Sequence, residues 1–351
     1  MSPCLCFARH LEITIRGDSM SDLVDQTPAA REWMDSAIRR HSNGIYAQIV
    51  SAIVWTDARN IEGDLLVPAD PQRLVDKFNS HSFILLQNHD PGKPIGQVLE
   101  SAYFETADDR QFVTAVLGYY SGGDVMSFQG IGIDAQEFAP SPAHLPSLSD
   151  NCWIQLATDP REVDDNWLDQ VTTDAPLQIE RTELSHNAES AAQELIRLGL
   201  VYLAVVWNPF VTSIASEAGK VTYTAIHAWL RKLIDSLAER RNPVLDIHTH
   251  QDGCQVSFLI RGKDVKKHYA AHDSLSAAAA QAAKLVMKLK ARGTPPRQLV
   301  YEFDKERLLW HPSFAILDDK RIITDNLALL ALEQLPAGLS LGLTRNKLLA
   351  K

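Results

Sequence analysis

An α+β fold in two parts is what this 351-residue sequence predicts. Three observations carry that expectation. Residues 45–160 hold short β-branched and aromatic runs between turn signals, the pattern of a mainly antiparallel β domain. Residues 184–351 mix helical periodicity with a hairpin and further strands. Between them, Arg161–Glu183 is polar and acidic and reads as a linker. Length agrees, since roughly 150 residues make one domain. The predicted division is a tail with a short helix (1–41), the β domain (42–160), the linker (161–183) and the α+β domain (184–351).

The elements follow in order. Ala29–His41 has a helical pattern. Ile45–Thr56 is rich in β-branched and aromatic residues and reads as a long strand. Asp70 is a natural N-cap, with Pro71 opening a helix over 71–79. Phe83–Leu86 is a buried strand running into Gln87-Asn88-His89, and Asp90-Pro91-Gly92 is turn chemistry. Ile95–Tyr103, Gln111–Tyr119 and Val125–Ile133 are further strands, the last interrupted by Gly130 and Gly132. Cys152–Ala157 closes the first domain. In the second half, Ser185–Leu200 and Lys220–Arg240 carry helix signals. Ile226, Leu230, Leu233 and Leu237 form one apolar stripe. Val244–His250 and Cys254–Arg261 form a hairpin across Gln251-Asp252-Gly253. Ser274–Arg292, closed by Gly293, is a helix. Gln298–Phe303, Leu308–Leu317 and Arg321–Thr324 are strands, and 327–351 is an apolar tail with helical character.

Composition narrows the function class. The net charge is −10, with the acids scattered and no Lys/Arg-rich run, which argues against a nucleic-acid binder. Four cysteines, Cys4, Cys6, Cys152 and Cys254, have no regular spacing, so a reducing cytoplasm is the expected setting. Residues 1–19 have no apolar core of a signal peptide. Met20-Ser21 repeats Met1-Ser2, so translation is expected to start at Met20, with a genuine disordered tail as the other reading. Leu198–Ser216 is free of charges, but Asn208-Pro209 breaks it, so a buried segment is expected there in preference to membrane contact.

The order of pieces in 45–160 resembles the prohead maturation proteases of tailed phages, which share a β-barrel fold with the herpesvirus assemblins. The pieces are a strand, Gly63-Asp64, Leu65-Leu66-Val67-Pro68, a strand ending in Asn88-His89, Pro94-Ile95-Gly96-Gln97-Val98, Met126-Ser127, and Trp153–Pro160. The resemblance implies a barrel and a serine endopeptidase acting on a protein substrate, with Ser127 as nucleophile and His89 as base. The sequence departs from the family at three points. There is no helix between His89 and Ser127, Asp124-Val125 stands where Gly precedes Met, and Trp153 stands where the orienting acid belongs. An indole cannot accept the imidazole proton. A third member would have to come from Asp134, Glu137, His144 or Asp150.

A serine hydroxyl needs a base to take its proton and a third group to hold that base. Backbone N–H groups near Gly130 and Gly132 would supply the oxyanion donors. The other reading of the same residues is plain: His89 caps its turn and Ser127 is an ordinary serine. The peptidase would act in phage assembly or a bacterial antiviral setting; the rival function is a catalytically inactive protease-like module that binds or senses a protein in a phage-defence system. No cofactor is expected. The expected partners are a protein substrate or partner, or a second copy of the chain. His248, His250 and Cys254 are weak candidates for zinc, with a polar strand face as the simpler reading. Asp57, Glu62 and Asp64 read as a solvated loop, and Trp310-His311-Pro312 as an anchor of the second core.

Overall fold

The computed structural model of the chain describes residues 20–67, 69–80, 83–87, 90–140, 142–149, 151–184, 193–207, 213–214 and 217–331. These residues form a mixed α+β fold with two main sheets, of four and nine strands, and eight α-helices. Helices α1 (Met20–Asp25) and α2 (Pro28–His41) come first. Pro28 opens α2, where a missing N–H costs nothing, and Ala30, Met34 and Ala37 recur at helical spacing on its buried face.

Next come β1 (Gln48–Thr56), α3 (Pro71–Ser80), β2 (Phe83–Leu86), β3 (Pro94–Glu105) and β4 (Gln111–Tyr119). The strands form an antiparallel sheet in the order β1-β4-β3-β2. Asp70 caps α3 by accepting the Arg73 N–H at 2.8 Å. The helix lays Leu74 and Phe78 on the sheet, where Phe78 meets Phe83 edge-on at 4.7 Å. This sheet is open, and no closed barrel forms among the described residues.

The chain then leaves that sheet. Strand β5 (Val125–Met126) pairs in parallel with a strand near the C-terminus. The strand expected to run to Ile133 stops at Met126. Ser127 C=O accepts the Ile131 N–H, Gln129 C=O accepts the Gly132 N–H, and Gly132 adopts φ +65°. The glycines therefore close turns instead of interrupting a strand.

Strand β6 (His144–Leu145) is followed by β7 (Trp153–Thr158), α4 (Asp165–Thr172) and β8 (Gln178–Glu183). The stretch 161–183, expected as a linker, is folded: α4 is capped by Asp164, buries Trp167, Leu168 and Val171, and leads into an edge strand paired with β7. Its acids sit on the outward side, and the few apolar residues between them are enough to dock the helix.

The rest comprises β9 (Glu194–Gly199), α5 (Tyr202–Val205), β10 (Ser213–Ile214), α6 (Glu217–Ser236), β11 (Pro243–Gln251) and β12 (Cys254–Arg261). Then come α7 (Val265–Asp273), α8 (Leu275–Ala291), β13 (Pro296–Asp304), β14 (Leu309–Leu317), β15 (Ile322–Ile323) and a short 3-10 helix over Leu327–Leu330. The nine-stranded sheet runs β5-β15-β14-β13-β12-β11-β9-β7-β8. Strand β7 thus belongs to this sheet and does not close the first one.

The helix expected over 185–200 is a strand from Glu194 onward, while 185–192 lie outside the described residues. Residues 194–199 alternate: Ile196 and Leu198 enter the helical core, while Arg197 points to the other face and pairs with Asp246. That period of two, read beside β7 and β11, outweighs helix propensity. The hairpin turn is as expected, with Asp252 and Gly253 at φ +52° and +79°.

One face of the large sheet packs under α5–α8, where the predicted stripe Ile226, Leu230, Leu233 and Leu237 is buried with Ile247, Val256 and Leu299. Each such side chain contributes roughly 1.5–3 kcal/mol on burial. The other face presents Leu259, Val300, Phe314 and Ile316 to Leu86, Leu99, Val116 and Tyr120 of the four-stranded sheet. A shared core and the β5–β15 pairing join the two halves.

Leu198–Trp207 is the end of β9, α5 and buried Val206 and Trp207. Among the described residues, no helix is long and apolar enough to cross a membrane.

Candidate functional site

Ser127 begins the glycine turns that follow β5. Its Oγ accepts the Gly130 N–H at 2.9 Å. Among the described residues no imidazole or carboxylate hydrogen-bonds that hydroxyl. A Cβ at Gly130 would fall 2.6 Å from the same Oγ, so glycine is required there by close approach. Phe128, fully buried, pins the turn to the core. The Gly132 N–H bonds to Gln129 C=O, and its carbonyl accepts from Arg292 at 3.0 Å. Both N–H groups expected to receive an oxyanion are thus occupied within the turn.

The other predicted residues are spread out. His89 and Asp150 lie outside the described residues. Asp90, next to His89, is buried and accepts from Arg261 at 2.6 and 3.1 Å and from the Gly92 N–H at 2.9 Å. Arg261 also donates to Glu302 at 2.9 Å. Burial opposes the Arg261 charge, but Glu302 and Asp90 outweigh it and hold the guanidinium above its ordinary value. Asp134 is exposed and accepts its own turn's Gln136 N–H at 3.0 Å. Glu137 is held by Lys284 at 2.6 Å and by Lys288. The two ammonium groups bring its carboxyl down to about 2, and an acid so neutralised has little left to give an imidazole. His144 lies in the short β6 strand, paired with Ser213.

The Ser127 turn borders a cleft of about 600 Å³ lined by Gln129, Asp134, Glu302, His311, Asp325 and Leu329, among others. His311 sits opposite Glu302 across the β13–β14 ladder, facing this cleft. The sequence marked Trp310-His311-Pro312 only as a core anchor. That holds for Trp310, whose Nε1 donates to Ala271 C=O at 2.9 Å in the interior.

The three residues weighed for zinc do not share a face. His248 and His250 lie on one side of β11 with ring centroids 6.5 Å apart. Cys254 sits opposite Gln251 and joins the helical core on the other side. Burial pushes its thiol up to about 12, away from the thiolate a metal needs. A step of one residue along a strand reverses the face, and this separates the cysteine from the histidines.

Two further polar groupings went unread in the sequence. On the inner face of β9 and β11, Arg197 and Asp246 form a buried pair at 2.9 Å beside His248, whose imidazole burial drives down to about 4. On the helical side, His227 of α6 faces His272 and Asp273 of α7. Neither has a sequence motif, because parallel pairing and helix packing bring together residues far apart in the chain.

No family model, curated protein or solved structure matches the chain.

Proposed function

We propose that the protein is a protease-like binding module that does not cleave its partner, and that the cleft beside the Ser127 turn receives a protein segment. The observation that supports this reading most is the Ser127 Oγ, which accepts its own turn's Gly130 N–H. A nucleophile needs its proton facing a base and its oxyanion donors free. Here both donors close turns, and Glu137, one of the acids weighed as third member, is neutralised by two lysines. On this reading the likeness of 45–160 to the prohead proteases is one of ancestry, barrel included: the order of pieces is kept and the serine's office is not. A phage-related or antiviral setting belongs to the same proposal.

The cleft's chemistry points to the partner. Asp134 and Asp325 are exposed along it, and Leu329, half-buried, adds apolar surface. Such a lining suits a segment that carries a lysine or arginine beside an apolar residue. The test titrates a library of such peptides, with acidic peptides as control, into the protein. Expected is binding of the basic set that weakens about tenfold when Asp134→Asn and Asp325→Asn are combined, since rim charges act mainly on encounter and specificity. Equal binding of both sets, or cleavage of any peptide by the protein and not by Ser127→Ala, would overturn the proposal.

A further inference from the structure

The structure places two imidazoles and a carboxylate together between α6 and α7. Donor atoms of His227, His272 and Asp273 lie within 4.8 Å of one another. The His227 and His272 rings are 4.1 Å apart between centroids and tilted by 53°. The His272 side chain is 1 % exposed, and its Nδ1 has no hydrogen-bond partner. Asp273 Oδ1 is 3.6 Å from it, beyond hydrogen-bond length. A buried imidazole nitrogen left unmatched costs stability unless something else satisfies it.

We propose that His227, His272 and Asp273 bind a divalent transition-metal ion, zinc by the chemistry of its donors. Two imidazoles and a carboxylate are a ligand set that zinc takes readily. A tetrahedral zinc with bonds of about 2.0–2.2 Å holds its donors about 3.3–3.6 Å apart, so closing this set needs movements on the scale of side-chain torsions. The elements that carry it are fixed. Trp310 Nε1 bonds the carbonyl of Ala271 at the end of α7, and Trp207 stands edge-on to His227 at 5.3 Å.

Arg231 is the group that speaks against a cation here. It reaches Asp273 Oδ1 and Oδ2 at 3.2 and 3.4 Å, with its guanidinium 4.6 Å from the Tyr269 ring centroid. A half-exposed pair of this kind contributes little by itself and leaves the His272 nitrogen unserved. A metal on Oδ1 leaves Oδ2 to the arginine, the usual outer contact of a ligating carboxylate. Three protein ligands with the Asp273 side exposed leave the fourth position to water or a small ligand, the arrangement of open zinc sites.

The experiment uses the full chain, stripped of metal by chelation and titrated with zinc chloride by calorimetry. Retained metal is counted after desalting, and cobalt absorption in the visible serves as a report on geometry. Expected is one zinc per chain, four-coordinate cobalt bands, and an affinity loss of about 100-fold in His227→Ala and in Asp273→Asn. Circular dichroism checks folding; Asp273→Asn, at an exposed position, carries the test if His227→Ala fails to fold. Folded protein that retains no stoichiometric zinc, or binds it equally well in a folded variant, would overturn the proposal.

Discussion

The Ser127 turn and the buried polar groups around the nine-stranded sheet differ in what their polar atoms do. In the turn, the Ser127 hydroxyl and the Gly130 and Gly132 N–H groups all close hydrogen bonds within a few residues. Around the large sheet, Asp246 Oδ1, His248 Nδ1 and His272 Nδ1 are buried without partners. Turns satisfy polar groups locally because the backbone supplies donors at fixed offsets. Sheets and helix pairs satisfy them only by tertiary placement, so an orphaned buried atom there points to a missing ligand or to stored instability. The motif that stands out in sequence is therefore the region whose polar atoms are the better satisfied.

Breaking the buried side should cost most. Arg197→Met leaves Asp246, fully buried, with an uncompensated charge, and a loss of about 3–5 kcal/mol is expected in urea unfolding. Lys232→Met, which removes the exposed pair with Asp174, should stay within about 0.5 kcal/mol. Equal losses for the two would remove the contrast between buried and exposed polar groups. Next comes the anchor of the turn. Phe128→Ala, at a fully buried ring, is expected to cost about 3 kcal/mol or more in the same assay.

Acid should sharpen the comparison further. Burial depresses both His248 and His272 from 6.5 to about 4. Between those values the unfolded chain binds more protons than the folded one, so their contribution is complete above pH 6.5 and is lost as pH falls toward 4. Melting temperature followed across that window should fall, and His248→Gln should flatten the fall. A profile unchanged by that substitution would mean that the imidazole is not held neutral by burial. The smallest effect expected is on the turn itself. Ser127→Ala removes one acceptor at a partly exposed site, worth about 1 kcal/mol, with the fold retained.

Much of the fold was legible. The strands of the four-stranded sheet, α3 with its Asp70 cap, the 243–261 hairpin and the buried stripe of α6 all have local signals: β-branched and aromatic runs, a cap, an Asp-Gly turn and a period near 3.6. What was not legible depended on partners. Ile196 and Leu198 read as part of a helix until Arg197 finds Asp246 on the neighbouring strand. Strand β7 reads as the end of the first domain because nothing in Trp153–Thr158 says which sheet it joins. The acids of 161–183 suggested a linker, although Trp167, Leu168 and Val171 between them suffice to dock a helix. At the candidate site, a motif points to Ser127, but its hydrogen bond to Gly130 depends on a turn whose glycines look in sequence like breaks in a strand. His227, His272 and Asp273 left no local trace at all, since helix packing alone brings them together.

The central claim is that Ser127 holds a turn and attacks nothing. A fluorophosphonate probe reacts with serines whose proton a base removes, so it reports on the hydroxyl directly. The purified full chain, with the Ser127→Ala variant beside it, is incubated with the probe and examined as intact protein by mass spectrometry. The expected result is no adduct on either. A stoichiometric adduct on the unaltered protein that is absent from Ser127→Ala would contradict the claim and make the chain a serine hydrolase.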